Sequence, residues 1–262
     1  MKDKTVLITG ANKSIGFETA RQLGLRGYRI WLACRDKARG QAALAKLVAE
    51  GIETRIVVMD VTQLSSVQAA AQYMFKEEGQ LDILINNAGI SGFLGTHPSE
   101  QSIDEVMAVY DTNVFGAIRV TQAFLPLLKA AVSSAKIIMV SSGLGSLEWV
   151  SDPNHPYFKV NELGYNSSKT ALNAVTLAFA KQLKDQASAL MPSTLVILPR
   201  ISMDTVVIGA SLKLLPALSG WQNRVRRKLP ADSTSINIGH PGRGRLKADT
   251  TRMMSGSASQ RR

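Results

Sequence analysis

Thr5-Val-Leu-Ile-Thr9 runs directly into Gly10-Ala-Asn-Lys-Ser-Ile-Gly16, and the reading of that junction decides the fold. A five-residue apolar and β-branched run has the length of a buried strand. The glycine that closes it is followed by apolar residues at helical spacing from Ile15 to Leu23, which stop at Gly24 and Gly27. The unit is therefore strand, glycine loop, helix. Such a loop offers backbone N–H groups and the positive end of a helix dipole, a combination that suits a dinucleotide pyrophosphate. Strand–glycine–helix connections are also common structural turns, so both readings stay open on this segment alone. Its candidate contacts are Gly10, Asn12, Lys13, Ser14, Ile15 and Gly16.

Outward from that junction the hydrophobic period keeps switching between two and 3.6. Strands are expected at Tyr28–Ala33, Thr54–Met59, Asp82–Asn86 and Lys136–Val140. Helices are expected at 38–49, 63–79, 102–131 (one long helix or a pair) and 164–184. Repeated βα units predict a parallel sheet covered on both faces and joined by right-handed crossovers.

The chain has 262 residues, 45% hydrophobic and 19% charged, which fits one large globular domain or two small ones and excludes global disorder. Its single cysteine, Cys34, excludes an internal disulfide. No apolar run has the length of a bilayer span, and the start lacks a signal-peptide core. The expectation is a soluble, cytoplasmic protein with no membrane partner. The net charge of +11 is localised. Residues 1–185 carry 19 basic against 17 acidic residues, whereas 186–262 carry 12 against 3. A nearly neutral body is thus followed by a basic tail.

The second strand closes with Cys34-Arg35, about 20 residues past the glycine loop. An acidic side chain there would receive the ribose 2′-hydroxyl of NAD, and an arginine suits the 2′-phosphate of NADP. With Lys13 as a second cation, NADP(H) is favoured over NAD(H). A solvated arginine at a strand end is the plain alternative.

Asn86-Asn-Ala-Gly89 after the fourth strand and Tyr165-Asn-Ser-Ser-Lys169 resemble the classical short-chain dehydrogenase/reductase superfamily. The resemblance covers residues 4 to about 185. It also rests on the Thr9–Gly16 loop, Asp60-Val61, Asp111-Thr-Asn113 and Val140-Ser-Ser142, all in family order. It implies a single Rossmann-like, doubly wound domain at 1–185 and hydride transfer between a nicotinamide and a small carbonyl or secondary alcohol. Tyr165 is the implied acid, and a cation is needed to bring a phenol into range at neutral pH. Lys169 lies four residues on, which places both on one helix face. Family correspondence makes Lys169 also a partner of the nicotinamide ribose and Ser142 a donor to the substrate oxygen. It makes Asn113 the holder of a water leading to Lys169, and sets Asp60 and Val61 beside the adenine. Asn87, Ala88 and Gly89 then line the ribose and nicotinamide side. Gly143–Gly164 is long for the family and carries Trp149, Tyr157 and Phe158, so it borders the substrate and leaves the oligomer open between monomer and homodimer. His155 is read as loop surface, and no metal is expected. One departure stands out: Ser14 occupies the loop's usual middle glycine, at a cost if φ is positive there.

The family's sixth strand, Pro-Gly loop, lid and Gly-Gly-Phe turn are not visible after Asp185. The 186–262 segment instead carries Arg224-Val-Arg-Arg-Lys228 and Gly242-Arg-Gly-Arg245. Thr194–Leu198 is a strand-like run that could fill the sixth strand's place by accident, and the remainder of the tail is expected to be atypical and poorly ordered. One reading is a basic arm, disordered until it binds nucleic acid or another polyanion, although a nucleic-acid partner is not the expectation. Another comes from the genetic code. Permitted codons for Leu190–Ala217, regrouped one base earlier, can read NAIDPGHTATDLNGHRGHRGIPEAAA, which has the missing Pro-Gly loop and Thr-rich lid in order. That points to a one-base frameshift near codons 185–190. Three functional expectations follow: an NADP(H)-dependent oxidoreductase weakened by its altered end, a cofactor-binding remnant without activity, or a body of this family kind carrying a polyanion-binding basic arm.

Overall fold

The computed structural model describes residues 4–92, 95–132, 135–186 and 194–199, the last six and 184–186 by backbone alone. All belong to one unit, Met1–Lys228. Six strands alternate with helices: β1 Thr5–Thr9, α1 Ser14–Gly24, β2 Arg29–Cys34, α2 Lys37–Ala49, β3 Thr54–Val58, α3 Leu64–Glu78 and β4 Ile83–Asn86. Then follow α4 Ile103–Tyr110, α5 Gly116–Lys129, β5 Lys136–Ser141, the short α6 Leu147–Ser151, α7 Leu163–Gln186 and β6 Thr194–Pro199. The sheet order is β3-β2-β1-β4-β5-β6, and every pairing is parallel. This is the doubly wound order whose direction reverses between β1 and β4.

Alternate residues of each central strand enter opposite cores. Val6, Ile8, Ile30, Leu32, Ile83 and Ile85 pack with Ala20 and Leu23 of α1 and Ala43 and Leu47 of α2. Leu7, Trp31, Ala33, Leu84, Ile137 and Met139 pack with α3, α5 and α7 through Val67, Met74, Phe124 and Leu172. Both faces are dry, which is why these strands read as unbroken apolar runs rather than alternating ones.

The expected helix over 102–131 is a pair joined by a π-helical turn, Asp111–Phe115. The second strand runs one residue later than expected, and β5 runs one residue longer, to Ser141, so that Ser142 follows it directly. Thr194–Pro199 does occupy the sixth position, with Thr194 opposite Lys136 and Pro199 opposite Ser141. The rest of the tail, with the expected disorder and the two basic clusters, lies outside the described residues.

Candidate active site

The carboxyl ends of β1, β2, β3 and β4 open onto a cleft of about 210 Å³. Its walls hold Gly10, Asn12, Lys13, Ser14, Ile15, Gly16, Arg35, Asp60, Val61, Asn87, Ala88 and Gly89, which the sequence places on four separate segments. Tight approach explains two of the glycines. A Cβ on Gly10 would sit 2.9 Å from Ala88 Cα, and one on Gly16 would sit 2.5 Å from Asn87 Nδ2. Asn87 is the bolt between β4 and the loop. Its Nδ2 donates to Thr9 O at 2.8 Å and Gly10 O at 3.2 Å, while Thr9 Oγ1 accepts from the Asn87 and Ala88 amides.

α1 begins without a side-chain cap and without an acidic residue in its first turn, so its leading N–H groups have no side-chain acceptor among the described residues. Ser14 sits at φ 52, the one non-glycine residue with positive φ among those described. A β-carbon there costs roughly 1–2 kcal/mol. Lys13 and Arg35 are exposed on the cleft and meet no carboxylate among the described residues. Arg39, one helical turn beyond Arg35, is a third cation on the wall that the sequence reading missed, and it pairs with Asp36 at 3.3 Å. Asp60 Oδ1 accepts from both the N–H and the hydroxyl of Thr62, which turns the chain sharply after β3.

Beyond Gly89 the cleft reaches Ile90 and Thr112, beside the π-helical turn. Asn113 on that turn is 1% exposed, with both atoms of its amide hydrogen-bonded. Its Oδ1 accepts from Ile90 N–H at 2.9 Å, and its Nδ2 donates to Ile90 O at 2.9 Å and Ser168 Oγ at 3.0 Å. The side chain therefore clamps the end of β4 to α7. Arg119 holds the same turn from outside, pairing with Asp111 at 2.7 Å and reaching Val61 O at 3.4 Å.

On α7, Tyr165 and Lys169 are both buried, as the four-residue spacing requires for one inward stripe. Lys169 Nζ lies 5.8 Å from the Tyr165 ring centroid and donates to Val140 O at 2.8 Å. An ammonium kept out of water in this way places its charge next to the ring. Ser142 caps the 3₁₀ turn Gly143–Gly145, its Oγ accepting from Leu144 N–H at 3.2 Å. That arrangement leaves its own O–H as a donor.

Between Ser142 and Tyr165 an aromatic group packs over Gly143. Trp149 stacks on His155 at 5.2 Å and 14°, and His155 meets Tyr157 edge-on at 4.9 Å. A Cβ on Gly143 would sit 2.4 Å from Tyr157 Cε2. His155 is thus half-buried rather than loop surface, with Nδ1 accepting from Tyr157 N–H at 3.1 Å. Its stacking partners lie six and two residues away in irregular chain, which periodicity does not reveal.

No helix among the described residues is long and apolar enough to cross a membrane. The short chain dehydrogenase family model matches residues 4–194. A short-chain dehydrogenase of Penicillium roqueforti is 38% identical over 186 residues, spanning 69% of this chain and 73% of that one. The NADPH-bound carbonyl reductase from chicken fatty liver superposes with TM-score 0.67 at 29% identity, covering 80% of this chain and 84% of that one. A metagenomic short-chain oxidoreductase in complex with NADP gives TM-score 0.65 at 26% identity, covering 77% and 84%. The family match ends at residue 194.

Proposed function

Since the chain belongs to the short-chain dehydrogenase family and is an oxidoreductase of that family, we propose that it uses NADP(H) in preference to NAD(H) and reduces a small carbonyl compound to an alcohol. The observation that carries the cofactor choice is the pair of exposed cations, Lys13 and Arg35, which meet no carboxylate among the described residues where β2 ends beside the glycine loop. A phosphate monoester is the natural partner for a guanidinium fork and an ammonium on one wall. The carbonyl reductase and the short-chain oxidoreductase among the similar structures, bound to NADPH and NADP, support the same choice.

The residues fit the cofactor along the whole cleft. The uncapped start of α1 and the Gly10–Gly16 loop would take the pyrophosphate, Asp60 and Val61 would flank the adenine, and Asn87, Ala88 and Gly89 would line the ribose and nicotinamide side. When bound, the cofactor supplies the hydride. The protein's part is the proton. Tyr165 gives its hydroxyl proton to the carbonyl oxygen as charge develops there, and Ser142 O–H donates a second hydrogen bond to the same oxygen. The Lys169 ammonium offsets the charge left on the phenolate and would also hold the nicotinamide ribose. Asn113 holds the end of β4 against α7, keeping that ribose side in register with Tyr165, and would hold a water leading to Lys169.

The family match ends at residue 194, and permitted codons for Leu190–Ala217, regrouped one base earlier, can read as a Pro-Gly loop and Thr-rich lid of the family kind. We infer that the gene carries a one-base frameshift near codons 185–190 and that activity is weakened in the chain as written. Both inferences are tested together. The written and frame-corrected chains are titrated with NADPH and NADH in a thermal-shift experiment, then assayed for ketone-dependent NADPH consumption. Stabilisation by NADPH above NADH, with turnover greater in the corrected chain, is expected. No response of either chain to either nucleotide overturns the cofactor reading. Resequencing codons 180–262 decides the frame directly.

A further inference from the structure

Asn173 lies one helical turn beyond Lys169 and has no place in the chemistry above, yet its side chain grips both ends of the Ser142 turn. Ser141 Oγ donates to Asn173 Oδ1 at 2.6 Å, and Asn173 Nδ2 donates to Gly145 O at 3.3 Å. Thr170 Oγ1 donates to the same Gly145 oxygen at 3.1 Å. The turn between these anchors is closed by Gly145 N–H to Ser142 O at 3.0 Å and Leu144 N–H to Ser142 Oγ at 3.2 Å. The turn packs directly on the helix backbone, so closely that a Cβ at Gly145 would come within 2.7 Å of the Lys169 carbonyl carbon. The segment 141–145 is thus fixed to the helix carrying Tyr165 and Lys169.

We propose that Asn173 is a positioning residue for Ser142, setting its hydroxyl relative to Tyr165 on the same helix. The inference rests on the reading of Ser142 as the second donor to the substrate oxygen. A carboxamide suits the position. It must accept from a hydroxyl on one side and donate to a carbonyl on the other, whereas a carboxylate accepts only and would face Gly145 O with like polarity. Ser141 is the other half of the latch. Its O–H···O distance lies at the short end of the ordinary range, so the hydroxyl proton goes to Asn173 rather than to Lys169 O, which stands at 3.4 Å.

The test measures Asn173→Ala and Ser141→Ala, each in the wild-type and in the Ser142→Ala background. In the wild type, each variant lowers kcat for ketone reduction about tenfold while the Kd for NADPH stays within about twofold, since a displaced donor costs transition-state rather than cofactor binding. With Ser142 already alanine, either variant changes kcat by less than about twofold. An equal loss in both backgrounds overturns the proposal, because a purely structural role subtracts regardless of Ser142. An independent readout is amide hydrogen exchange at Leu144, Gly145 and Ser146, which quickens in Asn173→Ala and Ser141→Ala while mid-α7 amides do not. Unchanged exchange at those three amides overturns the latch. If the wild type reduces no carbonyl, the proposed reaction fails, and the exchange measurement still decides the latch. Should Asn173→Ala not fold, Ser141→Ala breaks the same 2.6 Å bond from its other side.

Discussion

Where the strands begin, the carboxylates Glu78 and Asp82 are covered and hydrogen-bonded; where they end, Lys13 and Arg35 stand open and the backbone is strained at Ser14. At the starting edge Glu78, with a side chain 4% exposed, receives Arg29 at 2.9 Å and Trp31 Nε1 at 3.0 Å, and lies 3.6 Å from Arg55. Asp82 accepts from the Thr5 amide at 2.9 Å on the same edge. At the finishing edge Lys13 and Arg35 lack carboxylate partners among the described residues, α1 lacks a cap, and Ser14 holds φ 52. The starting edge closes its own hydrogen bonds, and the finishing edge leaves donors for something else to complete. This division follows from a parallel sheet, in which every helix after a strand starts at the same edge and directs its N–H groups there.

The comparison breaks most sharply at the Tyr165 hydroxyl. Tyr165→Phe should lower kcat by about 10³ while NADPH still raises the melting temperature, because only the proton donor is lost. Retained ketone reduction would remove Tyr165 from the chemistry. At the opposite edge, Glu78→Ala should lower unfolding free energy by about 2 kcal/mol in urea titration, with NADPH affinity unchanged, since Arg29 Nη1 and Trp31 Nε1 lose their acceptor while Arg29 Nε keeps Glu53 at 2.6 Å. A loss of cofactor binding at equal stability would show that the two edges are not separable. Arg35→Ser sharpens the finishing edge. The preference for NADPH over NADH in kcat/KM should fall about 10- to 100-fold, the size of a charge-assisted phosphate contact.

Smaller effects test where strain and repulsion lie. Ser14→Gly should raise stability by about 0.5–1 kcal/mol, the relieved positive-φ strain less the added chain entropy of glycine. A destabilised Ser14→Gly protein would show that the serine side chain makes a contact worth more than its strain. Lys136 opens β5 at the starting edge, and burial, then the nearby Lys4, lowers its pKa from the ordinary 10.5. The folded state releases that proton before the unfolded state does, so stability from this group rises with pH between its folded value and 10.5. Lys136→Met should flatten that alkaline rise in a series of urea titrations, and an unchanged slope would assign it elsewhere.

Much of the fold was legible because the strands are buried on both faces. Val6, Leu7 and Ile8 are each 0% exposed, so the run needs no alternation and its boundaries show as Gly10 on one side and Lys4 on the other. The cleft residues were legible for a related reason. They sit in the turn directly after a strand, where position in the chain already fixes position in space. What stayed hidden depends on contacts far apart in sequence. The π-helical turn at Asp111–Phe115 reads as ordinary helix, since one extra residue per turn barely disturbs an apolar stripe. Asn173, with partners 32 and 28 residues away, looks like any polar residue on an amphipathic helix. His155 gave no hint of its stacked partners.

The sequence by itself determined the βα alternation, the glycine loop, the cation at the end of the second strand and the Tyr165–Lys169 stripe. Each is a local pattern of period, turn chemistry or spacing, and such patterns are written in consecutive residues. Only the tertiary structure decided that Asn113 is a clamp between β4 and α7, that Ser14 carries positive φ, and that Asn173 and Ser141 anchor the Ser142 turn. These depend on which segments the sheet order brings side by side. That order arises from packing both faces of β1 and β4 at once, which no single stretch of chain contains.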